Sequence, residues 1–325
     1  MKGKKIVSTL LVLLLLASLP VSAHAAVWDI GKGDITISAG SGGQTVTQGD
    51  GAAVEDSAPV ITGSSTENTV TINAEKDQTA SVTLSGADID VSGKGKAAVS
   101  TTGDGSVSIE LDGENTLKSA TNHAGLEKNN GGSLTIADED KNGKLTAEGG
   151  IYGAGIGGGY EGEGSNIAIT GGEVEATGGI GGAGIGGGKN GAGSSIAITG
   201  GEVKATGGKY GAGVGGGLSG NGNHITITGG EVKATGGLNG AGIGGGLWGK
   251  GKDITISGDA QLKVQGGVGD YFDGPGAGIG DGGSRPKEST GGNPIPGTEV
   301  EPDTSGLTTN GSIEYYAPGA DMEKD

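Results

Sequence analysis

The sequence predicts an all-β fold, a right-handed parallel β-helix built as a three-sided solenoid with about 29 residues per coil, and two regularities carry that prediction. The string GAGIGGG, or a close variant, begins at Gly153, Gly182, Gly211, Gly240 and Gly276, and its first three intervals are each 29 residues. A second string, ITGGEVEATGG at 169–179, keeps step with it and recurs from Ile198, Ile227 and, more loosely, Ile256.

Each unit holds three short segments between glycine turns. The first, HITIT at 224–228, alternates apolar and polar residues as a half-buried strand does. The second, EVKAT at 231–235, alternates too, and the third is the GAGIGGG string itself. No segment shows a helical period, and glycine at this density opposes helix. One unit cannot bury its own apolar side chains, so coil must stack on coil in parallel register. Ile227 is then expected over Ile198, Val232 over Val203, and Ile243 over Val214. The final interval of 36 residues is accounted for by one extra residue near Asp259 and six more within 268–275.

Four regions follow along the chain. Residues 1–25 have the form of a signal peptide: Lys2, Lys4 and Lys5, an apolar run at 6–17, and the small-x-small site Ala23-His24-Ala25. Residues 26–150 carry degenerate coils, with alternating strings at 34–38, 70–72, 81–85, 106–111 and 133–136. Residues 151–285 hold the regular repeats, and 286–325 form an acidic, proline-containing tail or linker in which 313–316 is one candidate strand.

Composition bounds the function. The formal net charge is −17, and cleavage of the lysine-bearing leader makes it more negative, which excludes nucleic acid and anionic membrane as partners. Beyond the leader no run approaches the roughly 20 apolar residues of a membrane-spanning helix. There is no cysteine, so stability rests on backbone pairing and burial. Glycine supplies 78 residues against one Phe, two Trp and six Tyr, too few large side chains for one globular core.

The segments WDIGKGDITI at 28–37, LDGENTL at 111–117 and the ITGGEV…GAGIGGG units resemble glycine-rich surface proteins of Gram-positive, often gut-dwelling, bacteria. Those are similar to secreted right-handed parallel β-helix proteins described as carbohydrate-binding, some with bound calcium. The resemblance covers most of 27–285 and implies the fold, export and a carbohydrate-binding role. It assigns no ligand-binding residue.

GAGIGGG satisfies G-x-G-x-x-G, but another glycine turn follows it where a dinucleotide site needs a helix, so it reads as coil geometry. The outward positions of the second segment form two columns: Lys144, Glu173, Glu202, Glu231, Gln261, and beside it Thr146, Glu175, Lys204, Lys233, Lys263. Lysines beside stacked glutamates predict a compensated solvent face. Asp138, Asp140 and Asn142 match the opening of a calcium loop in a four-residue corner insertion, with Ca²⁺ as the implied cofactor and an Asx turn as the plain alternative. Tyr152 and Tyr210 before the third segment, with Tyr160 and Trp248 after it, are the candidate sugar-stacking residues, against simple corner packing. The glycine side of the third segment predicts either a flat accepting surface or close chain packing.

Catalysis finds little. After the leader the histidines are His123 and His224, the single arginine is Arg285, and no nucleophile elbow or metalloprotease motif occurs. The expectation is a secreted or cell-wall-associated, non-enzymatic protein that binds extracellular polysaccharide or glycan. The alternatives are a spacer or adhesin module that self-associates and, more remotely, a polysaccharide-lyase-like enzyme.

Overall fold

The computed structural model of the protein describes residues 25–286 and 293–322. The export pattern therefore lies, except for its last residue, outside the described residues. The chain winds as a parallel β-solenoid of three faces. On the first face, Ser106–Asp112, Leu134–Ala137, Gly164–Ile169, Gly193–Ile198, Gly222–Ile227 and Gly251–Ile256 pair in parallel, each with its equivalent in the next coil. The second face runs Glu114–Lys118, Lys144–Glu148, Glu173–Thr177, Glu202–Thr206, Glu231–Thr235 and Gln261–Gln265. The third is an eleven-stranded sheet whose later members are two-residue strands such as Ile185–Gly186 and Val214–Gly215. One strand, Thr79–Asp90, turns the corner between the first two faces unbroken and makes them a single sheet of sixteen strands. Gly86 lets it bend, at a φ of 68° that favours glycine.

The expected register is realised. Ile198 pairs with Ile227, Val203 with Val232 and Val214 with Ile243. The lengthened last coil fits as read from the sequence, Glu231 pairing with Gln261 and Ile243 with Ile279. Inward positions thus stack as columns, of which Ile109, Ile136, Ile169, Ile198, Ile227 and Ile256 form one, all fully buried. Each such side chain contributes about 1.5–3 kcal/mol by leaving water. At the head of the valine column sits buried Asn115, whose Oδ1 accepts from the Ala87 N–H while its Nδ2 donates to the carbonyls of Asp112, Gly113 and Lys144.

The corner glycines serve close approach more than turn geometry. Loops pile on loops at strand spacing, about 4.8 Å. A Cβ on Gly179, Gly208 or Gly237 would lie 1.7, 1.6 or 1.7 Å from the carbonyl oxygen of Gly150, Gly179 or Gly208 beneath it. A Cβ on Gly182 or Gly211 would stand 1.9 Å from the carbonyl oxygen of Gly153 or Gly182. The third segment is therefore no flat open surface. Its glycines are buried, and the loops on either side bond to each other, as Lys189 N–H does to Tyr152 O at 2.8 Å and Leu218 N–H to Gly181 O at 2.8 Å. Close packing is what the glycines provide.

Both ends of the stack are covered. At the N-terminal end Gly43–Gln48 folds back antiparallel on Ile35–Gly40, and Gln44 uses its amide to pair with the exposed edge at Ser81, donating to its carbonyl at 2.9 Å and accepting from its N–H at 2.8 Å. At the other end the structure corrects the reading of 286–325 as a solvated tail. Ser312–Tyr316 adds a parallel strand beside Gln261–Gln265, and Asp303 and Leu307 bridge to Thr255 and Gly258. The physical reason is the last coil's unpaired edge, which this segment satisfies; the candidate strand at 313–316 is realised as Ser312–Tyr316, and its pairing partner is what the irregular pattern hid.

Gly211→Ala is expected to destabilise the protein by about 1–3 kcal/mol, as overpacking a core does. Gly42→Ala, whose Cβ would meet nothing within 4 Å, should change little. Thermal melts followed by circular dichroism check the pair, and equal midpoints would refute stacking as the reason for the corner glycines.

Candidate functional site

The loop that follows the third face places one residue per coil in the left-handed region: Glu161, Asn190, Ser219 and Trp248, with φ of 60°, 65°, 63° and 67°. Asparagine tolerates this conformation, whereas a tryptophan there carries strain of roughly 1–3 kcal/mol. Trp248 is held at that position from both sides. Its N–H donates to the Gly283 carbonyl at 3.0 Å, and its indole Nε1 donates to Asp273 Oδ1 at 3.1 Å.

Asp273 is buried and organises the corner. Arg285 grips it with two bonds, Nε to Oδ1 at 3.2 Å and Nη2 to Oδ2 at 2.9 Å. The same guanidinium lies 5.5 Å from the Trp248 ring and 5.9 Å from the Phe272 ring, within cation–π range. Phe272 in turn meets Tyr271 edge-on at 5.1 Å. Asp270 accepts from the N–H groups of Phe272 and Asp273 and closes the six-residue insertion into a turn. Trp248, Phe272 and Tyr271 remain 47%, 63% and 86% exposed. Tyr210 joins this corner through its carbonyl, which accepts from the Leu247 N–H at 2.8 Å. The Arg285 pKa is raised by Asp273, through hydrogen bond and charge, and more weakly by Asp270 and the Tyr210 phenol.

Tyr152 and Tyr160 form a second aromatic group, with ring centroids 5.7 Å apart. Lys189 lies over both, 4.5 Å from the Tyr152 centroid and 5.7 Å from that of Tyr160. The structure thus gathers the four predicted aromatics into two groups on one side of the solenoid. The sequence places an insertion within 268–275, the stretch that holds Tyr271 and Phe272, but it gives no sign of the Arg285–Asp273–Trp248 link. No signal could have found it, because 37 residues separate Trp248 from Arg285 and the repeat ends between them.

Asp138, Asp140 and Asn142 do sit in a four-residue corner insertion, since Ile136 pairs with Ile169 while Lys144 pairs with Glu173. Their oxygens are engaged locally. Asp138 accepts from the N–H groups of Asn142 at 3.3 Å and Gly143 at 3.0 Å, and Asp140 accepts from Asn142 Nδ2 at 2.9 Å. The Asp138 carboxylate thus closes the corner loop by accepting from backbone amides four and five residues ahead. Among the described residues no three acidic or histidine side chains converge as a metal site.

Two further charged groups have structural explanations. The second-face columns compensate along their length, between residues directly opposite in register: Lys144 to Glu173 at 2.5 Å and Glu175 to Lys204 at 2.7 Å. Buried Glu127, hydrogen-bonded to His123 at 2.9 Å, accepts the Ala124 N–H at 3.0 Å. In later coils the equivalent N–H groups of Ala154, Ala183 and Ala212 donate to the carbonyls of Gly158, Gly187 and Gly216. The Glu127 carboxylate therefore replaces a backbone carbonyl, which accounts for a buried acid at this position.

Comparison with known families places the fold. Residues 141–160, 167–189, 196–218 and 225–247 match the Beta helix repeat model. No curated protein and no solved structure matches the chain. The matched segments are the regular coils, and the Trp248 corner begins just beyond the last of them.

Burial pushes the Asp273 pKa up, but the bonds from Arg285 and Trp248 and the arginine charge outweigh it and hold the group below the usual carboxylate value. A depressed folded-state pKa gives stability present above the unfolded value of about 3.9 and lost as pH falls through the folded one. Acidification below about pH 4 should therefore release the Trp248 indole. In a Trp28→Phe background the tryptophan emission is expected to shift in that window, and Asp273→Asn should abolish the step.

Proposed function

We propose that this parallel β-helix protein is exported and acts outside the cell as a non-enzymatic binder of polysaccharide or glycan, with the Trp248 corner as its contact surface. The observation that carries the reading is the exposed cluster of Trp248, Phe272 and Tyr271 around an arginine that is itself locked by a buried aspartate. A chain with only nine aromatic residues in 325 places four of them, Tyr210 included, at one corner. Aromatic faces stack on the C–H faces of sugar rings, and a site built on fixed side chains loses little freedom when it binds. The left-handed conformation is common to this place in four coils, and it is the large aromatic there, at a place where Asn and Ser stand in other coils, that departs from the repeat.

Export is supported by the basic, apolar and small-residue pattern of the first 25 residues. The non-enzymatic reading draws on the sequence, which carries no nucleophile elbow and no metalloprotease motif. The spacer reading, by contrast, draws on the solenoid alone, and the covers at both ends oppose end-to-end stacking.

Trp248→Asn tests the proposal with little risk to the fold, because Asn190 occupies the equivalent position at a φ of 65°. Pull-down on a panel of plant, bacterial and host polysaccharides is expected to show binding by the wild type and a loss of about tenfold or more in the variant, equal to about 1.4 kcal/mol. Binding that survives the substitution unchanged, or no binding to any polysaccharide, would sink the reading.

A further inference from the structure

The two aromatic groups are separated by a fixed number of coils. Gly181 N–H donates to Ile151 O and Tyr210 N–H to Ile180 O, each at 2.9 Å, so that Tyr152, Gly181 and Tyr210 occupy equivalent places in three successive coils. Tyr152 and Tyr210 therefore stand two coil spacings apart, about 10 Å along the axis. The middle place is cleared of any side chain of its own. A Cβ on Gly181 would lie 2.9 Å from the Lys189 Cβ, so glycine there lets the Lys189 stem fold over the Tyr152 ring.

Resting on the carbohydrate-binding reading, we propose that the ligand is a neutral, unbranched polysaccharide laid along this corner, parallel to the solenoid axis, touching Tyr152 and Tyr160 at one end and Tyr210 and Trp248 at the other. Three observations lead there. The two groups share one ridge, and between them lie Leu218, whose N–H bonds to the Gly181 carbonyl, and Lys189, whose ammonium can donate to sugar hydroxyls. Their separation is that of alternate rings in an extended chain, so one strand of sugars stacks at both without bending. The long-range charge favours a neutral polymer: the chain carries −17 overall, and at the ridge Arg285 commits its fork to Asp273 while the Lys189 and Lys209 ammoniums lie over tyrosine rings. A polyuronate would meet repulsion at long range and no uncommitted arginine at contact.

Linking two weak contacts through one ligand raises affinity by effective concentration, and only when the ligand is long enough to span them. Calorimetric titration with neutral β-glucan and β-mannan oligosaccharides, from disaccharide to hexasaccharide, reads this out, with alginate oligosaccharides as the anionic contrast. For at least one neutral series affinity is expected to climb about tenfold or more with length and then level off. Tyr152→Ala should bring the hexasaccharide down towards the disaccharide. Length-independent affinity, a climb that survives Tyr152→Ala, or tighter binding of alginate overturns the two-contact chain while leaving the Trp248 site standing. No binding of any oligosaccharide by the wild type overturns both.

Discussion

Everything in this structure depends on adjacent coils lying one strand spacing apart around their whole circumference, loops included. In most folds strands meet at that spacing and loops splay outward into water. Here the loops are stacked as tightly as the strands, with the carbonyl of one corner glycine under the Cα of the next. The constraint explains a composition that otherwise suggests disorder, since residues without side chains are the ones that can repeat at such corners. It also explains how aliphatic columns one residue wide suffice as a core. Each Ile or Val is flanked above and below by its own equivalent, and the three faces close around them.

The same constraint decides where function can sit. Inward positions are filled by the core, and corner positions are closed to side chains by the neighbouring backbone. The first face offers small residues and the second a self-neutralising ladder of lysine and glutamate. Large outward side chains are left a few places beside the third face, and the insertion at 268–275 enlarges one of them. The aromatic groups occupy those places, so departure from the repeat, rather than the repeat itself, marks the candidate site.

How much was legible in the sequence follows from the range of each interaction. Register, column composition and the extra residues of the last coil were readable because parallel stacking converts a sequence interval directly into a contact. The Tyr152, Tyr160, Tyr210 and Trp248 positions were readable for the same reason, as corners of a known coil. What escaped were contacts outside the period. Arg285 reaches back to Trp248 through Asp273, and residues 293–322 return to pair with the last coil, neither of which any repeat encodes. Glu127 escaped differently. It stands opposite Gly157 in register, and only the hydrogen bond it accepts reveals a side chain doing a carbonyl's task.

The cover on the last coil has a consequence for how the molecule fails. In a one-dimensional stack, each coil is held only by its neighbours, so unfolding begins at an end and travels inward. The Trp248 corner lies beside the C-terminal end, and Arg285 belongs to the chain just past the last third-face strand. Fraying from that side would disarm the contact surface while most coils stayed wound. A sugar chain bound across Tyr152 and Trp248 would act as a clasp over those outer coils, raising the force and the temperature at which they peel away.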